Sequence, residues 1–203
     1  MENSTEVKTQ QITLGGDDFF RLTLADREFD LPFKQLGDRK VAFLDISGRF
    51  NLVEFCADNL VERFIAKGIE FDTIMNSVSK SNALAHAIAV RWAKRVNPNL
   101  EYTVVARKSA SNTDSGKKIS ASYRSVTTPF EQTLSLTSDD IAFINGKKVL
   151  LLDDVFGGGG TFSALNALAE GANATVSARA VIAIEQGADI PEDLIYMFVL
   201  KTI

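Results

Sequence analysis

Asp153 and Asp154 stand side by side at the end of the apolar run Val149-Leu150-Leu151-Leu152. Val155 and Phe156 follow, then Gly157, Gly158, Gly159, Gly160 and Thr161. Glycines carry no side chain, so an anion can come close to their backbone N–H donors, and Thr161 adds a hydroxyl. Phe162 to Glu170 reads as a helix, and a helix start behind such a loop favours bound negative charge. The carboxylates suit what lies beside a phosphate: ribose hydroxyls, waters around magnesium, or a positive reaction centre. The loop lacks the Gly-Lys-Ser/Thr ending of a triphosphatase loop, and Phe162 stands where a dinucleotide fingerprint needs a small residue.

Two other segments carry usable groups. Asn76-Ser77-Val78-Ser79-Lys80-Ser81-Asn82 lies between an expected strand and an expected helix, and Ser79, Lys80 and Ser81 offer two hydroxyls and a cation. Arg107 and Lys108 open a polar stretch that ends in Lys117 and Lys118 and is expected to move. Cys56, Trp92 and His86 read as packed or surface residues, and a lone histidine and a lone cysteine form no metal cluster.

These groups must be held by a fold. The chain has 203 residues, with 22 basic and 26 acidic side chains, for a net charge of −4. That balance argues against non-specific nucleic-acid binding. With one cysteine there is no disulfide within the chain. The first residues form neither a signal peptide nor a basic presequence, and no apolar stretch approaches the ~20 residues of a membrane span. The expected location is the cytoplasm, with no membrane contact.

Met1 to Gln10 is expected to fray. Short alternating stretches between Ile12 and Asp30 suggest β structure, and Val41 to Ile46 reads as a strand. Leu52 to Lys67 reads as a helix that buries Leu52, Phe55, Cys56, Leu60, Phe64 and Ile65. Further strands are expected at Phe71–Met75, Tyr102–Ala106, Ile119–Val126, Phe130–Leu136, Lys148–Leu152, Ala174–Ile184 and Ile195–Leu200. A second helix is expected over Ala83–Val96. The alternation predicts an α/β fold, a mostly parallel central sheet with helices on both faces. Ligands on such sheets sit at the carboxyl ends of the strands, where Asp153 to Thr161 lie.

The run from Asp153 and Asp154 to Gly159-Gly160-Thr161 resembles the signature of the type I phosphoribosyltransferases. Val41-Ala42-Phe43-Leu44-Asp45-Ile46-Ser47 resembles the N-terminal stretch of the adenine enzymes. Ala106-Arg107-Lys108, with Ser120-Ala121-Ser122-Tyr123 beyond the polar loop, resembles the adenine and xanthine branch. The resemblance covers about residues 36–190. Val78 stands where relatives often carry an acid, and Ser81 where glycine is common. The segment after Tyr123 lacks the glutamate of adenine-specific members and looks more like the xanthine branch and its purine-regulator relatives.

The resemblance implies a small N-terminal hood within residues 1–36, a core over 37–203 and a flexible loop at about 108–120. It implies transfer of 5-phosphoribosyl from phosphoribosyl diphosphate to a purine-type base, releasing diphosphate. Asp153, Asp154 and Lys108 would be catalytic, and Val155 to Thr161 would hold the 5′-phosphate. Ser79, Lys80, Ser81, Arg107 and Lys108 would hold the diphosphate, and Phe43 and Val155 would flank the base. Lys117, Lys118 and Tyr123 would belong to the moving loop. Mg2+ would be held mainly by substrate, with Asp153 and Asp154 reaching it through water. A homodimer without nucleic acid is implied. A non-catalytic sensor of phosphoribosyl diphosphate and a transferase for a non-purine heterocycle stay open.

Overall fold

The structure is a computed structural model and describes residues 7–108, 118–124 and 131–203. The chain begins with an antiparallel meander of β1 (Val7–Leu14), β2 (Asp17–Leu24), β3 (Arg27–Leu36) and β4 (Arg39–Ala42). Gly15 and Gly16, both at positive φ, make the two-residue turn that joins β1 to β2. On β2, Phe20, Leu22 and Leu24 are buried while the residues between them are less so, the period of a sheet with one face on a core. Val7 to Gln10 are paired in β1, which corrects the fraying expected there, and Met1 to Glu6 lie outside the described residues. The meander runs on to Ala42, and only Val41 and Ala42 of the strand expected at Val41–Ile46 are extended.

The core alternates helices and strands: α1 (Phe50–Ala66), β5 (Thr73–Ser77), α2 (Asn82–Arg95), β6 (Val104–Ala106), β7 (Ile119–Arg124), β8 (Glu131–Leu136), α3 (Ser138–Ile144) and β9 (Lys148–Leu152). Then come β10 (Val155–Phe156), α4 (Gly160–Gly171), β11 (Thr175–Ala180), β12 (Ala183–Glu185), β13 (Leu194–Ile195) and β14 (Phe198–Leu200). The main sheet has the order β13-β11-β9-β5-β6, all parallel, with β9 in the middle. A second parallel sheet has the order β10-β12-β14, and β7 pairs antiparallel with β8.

β9 shows why its run is apolar. Leu150 and Leu152 enter the core that α1, α2 and the meander cover, while Val149 and Leu151 enter the core covered by α4. A strand buried on both faces has no polar side to offer, and each such side chain contributes roughly 1.5–3 kcal/mol on burial. In the first core Trp92 stacks on Phe71 at 4.3 Å, with Phe64 edge-on at 6.2 Å. Cys56 is packed there too, and burial pushes its thiol up to about 12. Arg91 of α2 clamps Glu54 and Asp58 of α1. Ile65, expected on the buried side of α1, is 40% exposed.

Three corrections concern the elements. Ala174–Ile184 is two strands, because the chain leaves the main sheet after β11 and joins the second as β12. Ile195–Leu200 divides in the same way into β13 and β14. Helix α3 was not expected, although Thr137 and Asp140 form a capping box at its start. No described helix is long and apolar enough to cross a membrane.

Candidate active site

The carboxyl end of β9 carries the two acids. Asp153 is buried, and its Oδ1 accepts hydrogen bonds from the Ser77 hydroxyl and the Asp154 amide, both at 3.0 Å. Burial, then the charge of Asp154, pushes its carboxyl up to about 7, against the pull of the hydrogen bonds from Asp154, Ser77 and Thr161. Asp154 caps the Val155 amide at 3.0 Å and lies 3.8 Å from Lys80 Nζ. Burial raises its carboxyl as well, and the Lys80 ammonium opposes that shift. The acids thus face a cation across the cleft.

The segment after Asp154 is not all loop. Val155 and Phe156 form β10, in parallel register with Ala183 and Ile184. The Phe156 ring is buried, 5.9 Å from that of Phe162, and lies beneath Gly159. Its side chain therefore supports the loop from below, so a role toward an anion would fall to its main chain. Gly159 adopts φ +74 as the residue before α4, a conformation that suits glycine. The first N–H groups of α4, beginning with Gly160 and Thr161, have no partner within the helix and are free for an anion. Gly160 is required for another reason: a Cβ there would lie 2.2 Å from the carbonyl oxygen of Arg124 on β7.

Tyr123, beside Arg124, donates to Gln132 Oε1 at 2.9 Å. Burial raises its phenol, and the nearby Asp153 charge adds to that shift. It therefore stands on β7 next to the acids. Lys118 precedes that strand and is exposed, and Lys117 lies outside the described residues, as does most of the loop expected at 108–120.

The segment between β5 and α2 brings Lys80 to the cleft and turns Ser81 away, while Ser79 does not line the cavity. Ser79 is exposed, and the Val78–Ser79 peptide is cis. Ser81 is fully buried and donates to the Ser77 carbonyl at 2.7 Å, so its hydroxyl braces the turn and is not offered to a ligand. Arg107 also departs from expectation. Its guanidinium lies 2.5 Å from Asp140 Oδ2, beside Tyr102, and anchors β6 to the start of α3 rather than lining the cleft. Lys108 is exposed at the edge of the described segment.

The other end of the cleft is mostly apolar, lined by Leu36, Val41, Phe43, Leu44, Val155 and Leu200. Phe43 and Val155 are thus brought to one cavity. Lys34 Nζ sits 3.5 Å from the Phe43 ring centroid and Lys80 Nζ 4.8 Å, both cation–π distances. Hydrogen bonds from Ser47 hold the Asp45 carboxyl below its ordinary value, with Lys80 and Lys34 adding to the shift. Sequence reasoning missed Glu185, a buried acid at the end of β12 that lines the same cavity and pairs with Arg39 at 3.1 Å. Its signal was an acid closing an apolar run, as at Leu152–Asp153.

Among the described residues no group of three or more His, Cys, Asp or Glu side chains could hold a metal ion. Two carboxylates, one of them buried and already accepting two hydrogen bonds, fit an outer role toward a cation held mainly by a phosphorylated ligand.

No protein-family model matches the chain, and no curated protein does. Solved structures do. An adenine phosphoribosyltransferase from Thermoanaerobacter pseudethanolicus superposes with a TM-score of 0.65 at 18% identity, over 83% of this chain and 95% of that one. The adenine phosphoribosyltransferase from Rhodothermus marinus gives 0.61 at 20%, over 83% and 93%. The enzyme from Giardia lamblia, complexed with 9-deazaadenine, gives 0.60 at 16%, also over 83% and 93%. The fold of this chain is therefore the type I phosphoribosyltransferase fold: a mostly parallel sheet between helices, under an N-terminal antiparallel hood.

Proposed function

We propose that the chain transfers a 5-phosphoribosyl group from phosphoribosyl diphosphate to a purine-type base, giving a nucleoside 5′-monophosphate and diphosphate. One observation carries this reading. The two acids, the glycine cradle at the α4 N-terminus and the Phe43 ring line one cavity, which brings together the groups that a ribosyl phosphate and a flat base require.

The 5′-phosphate sits on the backbone N–H groups of Gly157 to Thr161. Asp153 and Asp154 face the ribose hydroxyls and oppose the positive charge that develops at the anomeric carbon as the C1–O bond to diphosphate breaks. A ring nitrogen of the base forms the new bond to that carbon. Lys80 and Ser79, with Lys108, hold the departing diphosphate. Arg107 is left out of that set because it is committed to Asp140. Phe43 and Val155 position the base ring for attack. Magnesium, when bound with the diphosphate, supplies charge neutralisation there, and Asp153 and Asp154 would meet it through water. The protein acts in the cytoplasm as a homodimer.

The test is diphosphate release from phosphoribosyl diphosphate with magnesium, across adenine, hypoxanthine, guanine, xanthine and non-purine bases. Base-dependent release with one nucleotide formed is the expected result. Tight binding without turnover on any base would make the chain a sensor. Neither binding nor release would refute the phosphate cradle itself.

A further inference from the structure

We infer that Glu185 reads the base. Its carboxylate accepts a hydrogen bond from an N–H on the six-membered-ring edge of the purine, so the substrate class is a purine with a donor there, as an exocyclic amine or a ring lactam. The inference rests on the phosphoribosyl-transfer reading above and deepens it.

The register of the small sheet places Glu185. Ala183 lies opposite Val155 and Phe198, Ile184 opposite Phe156 and Val199, and Glu185 opposite Leu200. Side chains two apart on a strand share a face. Val155, Glu185 and Leu200 therefore project from one face, and all three line the cavity. One step past Phe156, Gly157 faces Glu185, and a Cβ there would lie 3.0 Å from the carboxyl carbon. The missing side chain leaves the acid its room.

The carboxylate is half committed. Oε2 takes the Arg39 guanidinium at 3.1 Å, and Oε1 accepts no hydrogen bond from any described residue. Glu185 is only 7% exposed, and Leu36, Val155 and Leu200 share its cavity wall. A carboxylate oxygen in such a wall is an acceptor only, and its desolvation is offset when a donor arrives. A bare ring nitrogen at that position would oppose lone pair to lone pair. Arg39 also offsets the repulsion between this acid and the phosphate on the adjoining loop. A purely structural Arg39–Glu185 pair would have no preference among bases, which separates the two roles.

The experiment is steady-state kinetics on wild type, Glu185→Gln and Glu185→Ala with adenine, hypoxanthine and unsubstituted purine, whose N1–C6 edge has no donor. Wild type should prefer adenine or hypoxanthine over unsubstituted purine by roughly 10–100-fold in kcat/KM, the scale of a lost hydrogen bond to a charged group. Glu185→Ala should lose most of that preference, and Glu185→Gln, whose amide oxygen still accepts but carries no charge, a smaller part of it, while KM for phosphoribosyl diphosphate stays unchanged. The better of adenine and hypoxanthine tells amine from lactam. Equal use of all three purines by wild type would overturn the inference and leave the transferase reading intact, even if the variants fail to fold. A variant effect confined to KM for phosphoribosyl diphosphate would overturn it too. If wild type turns over no base at all, the transferase reading falls first and takes this one with it.

Discussion

The two ends of the cleft are built in opposite ways. At the proposed phosphate end, the contiguous residues Gly157 to Thr161 offer their main-chain N–H groups, wedged between β7 and the Phe156–Phe162 pair. At the proposed base end, side chains arrive from the hood and the segment after it, from β10, from β12 and from β14, parts of the chain far apart in sequence. A backbone cradle fixes the shape of its ligand and tolerates little change in bulk. A slot walled by separate side chains can change its occupant by single substitutions while the cradle stays as it is.

The strongest challenge to this contrast is Gly160→Ala. The added carbon meets the Arg124 carbonyl at 2.2 Å, a backbone atom that cannot swing aside. Diphosphate release should fall more than ~100-fold, and thermal denaturation should show a loss of about 1–3 kcal/mol or more. A variant that melts and turns over like wild type would show that β7 does not brace the cradle. Next in size, Lys80→Ala should weaken phosphoribosyl diphosphate binding by roughly 10–100-fold in calorimetry, because it removes the cation facing Asp154. At the opposite end Phe43→Ala should raise KM for the base by about tenfold and leave KM for phosphoribosyl diphosphate unmoved. Equal changes in both constants would mean that the two ends are not separable.

The smallest expected effect is a pH slope in stability. The Asp153 carboxyl moves from its ordinary 3.8 to about 7 on folding. Between those values the folded chain binds more protons than the unfolded one, so stability falls as pH rises. The penalty sets in as pH rises through the ordinary carboxylate range and is fully present only once the folded carboxyl has ionised, above about 7. Asp153→Asn keeps the acceptor for Ser77 and removes the charge. Without ligand it should therefore melt a few degrees above wild type at about pH 8, with the gap closing toward about pH 4. A gap independent of pH would assign the effect to something other than this carboxyl.

How far the sequence could be read obeys the same division. The proposed cradle can be picked out in the sequence because Asp153 to Thr161 are neighbours in the chain, and α1 and α2 were legible because their apolar spacing is local. The base end depends on pairings between remote strands. Glu185 enters the cleft only because β12 lies against β10. The split of Ala174–Ile184 was hidden because Val181 and Ile182, where the chain changes sheets, are as buried as the strands on either side. Arg107 looked like a ligand cation because its partner Asp140 lies on a helix that was not expected. Ser81 looked available because a hydroxyl gives no sign of which carbonyl it will find. Thr137 and Asp140 did carry a readable cap signal for α3.

The stack of Trp92 on Phe71 also supplies an optical probe. The chain has a single tryptophan, packed in the α1–α2 core and absent from the cleft lining. Its fluorescence should track the unfolding of that layer and stay nearly silent when a nucleotide or base enters. Denaturation curves and binding titrations can then be recorded on one sample without either signal contaminating the other.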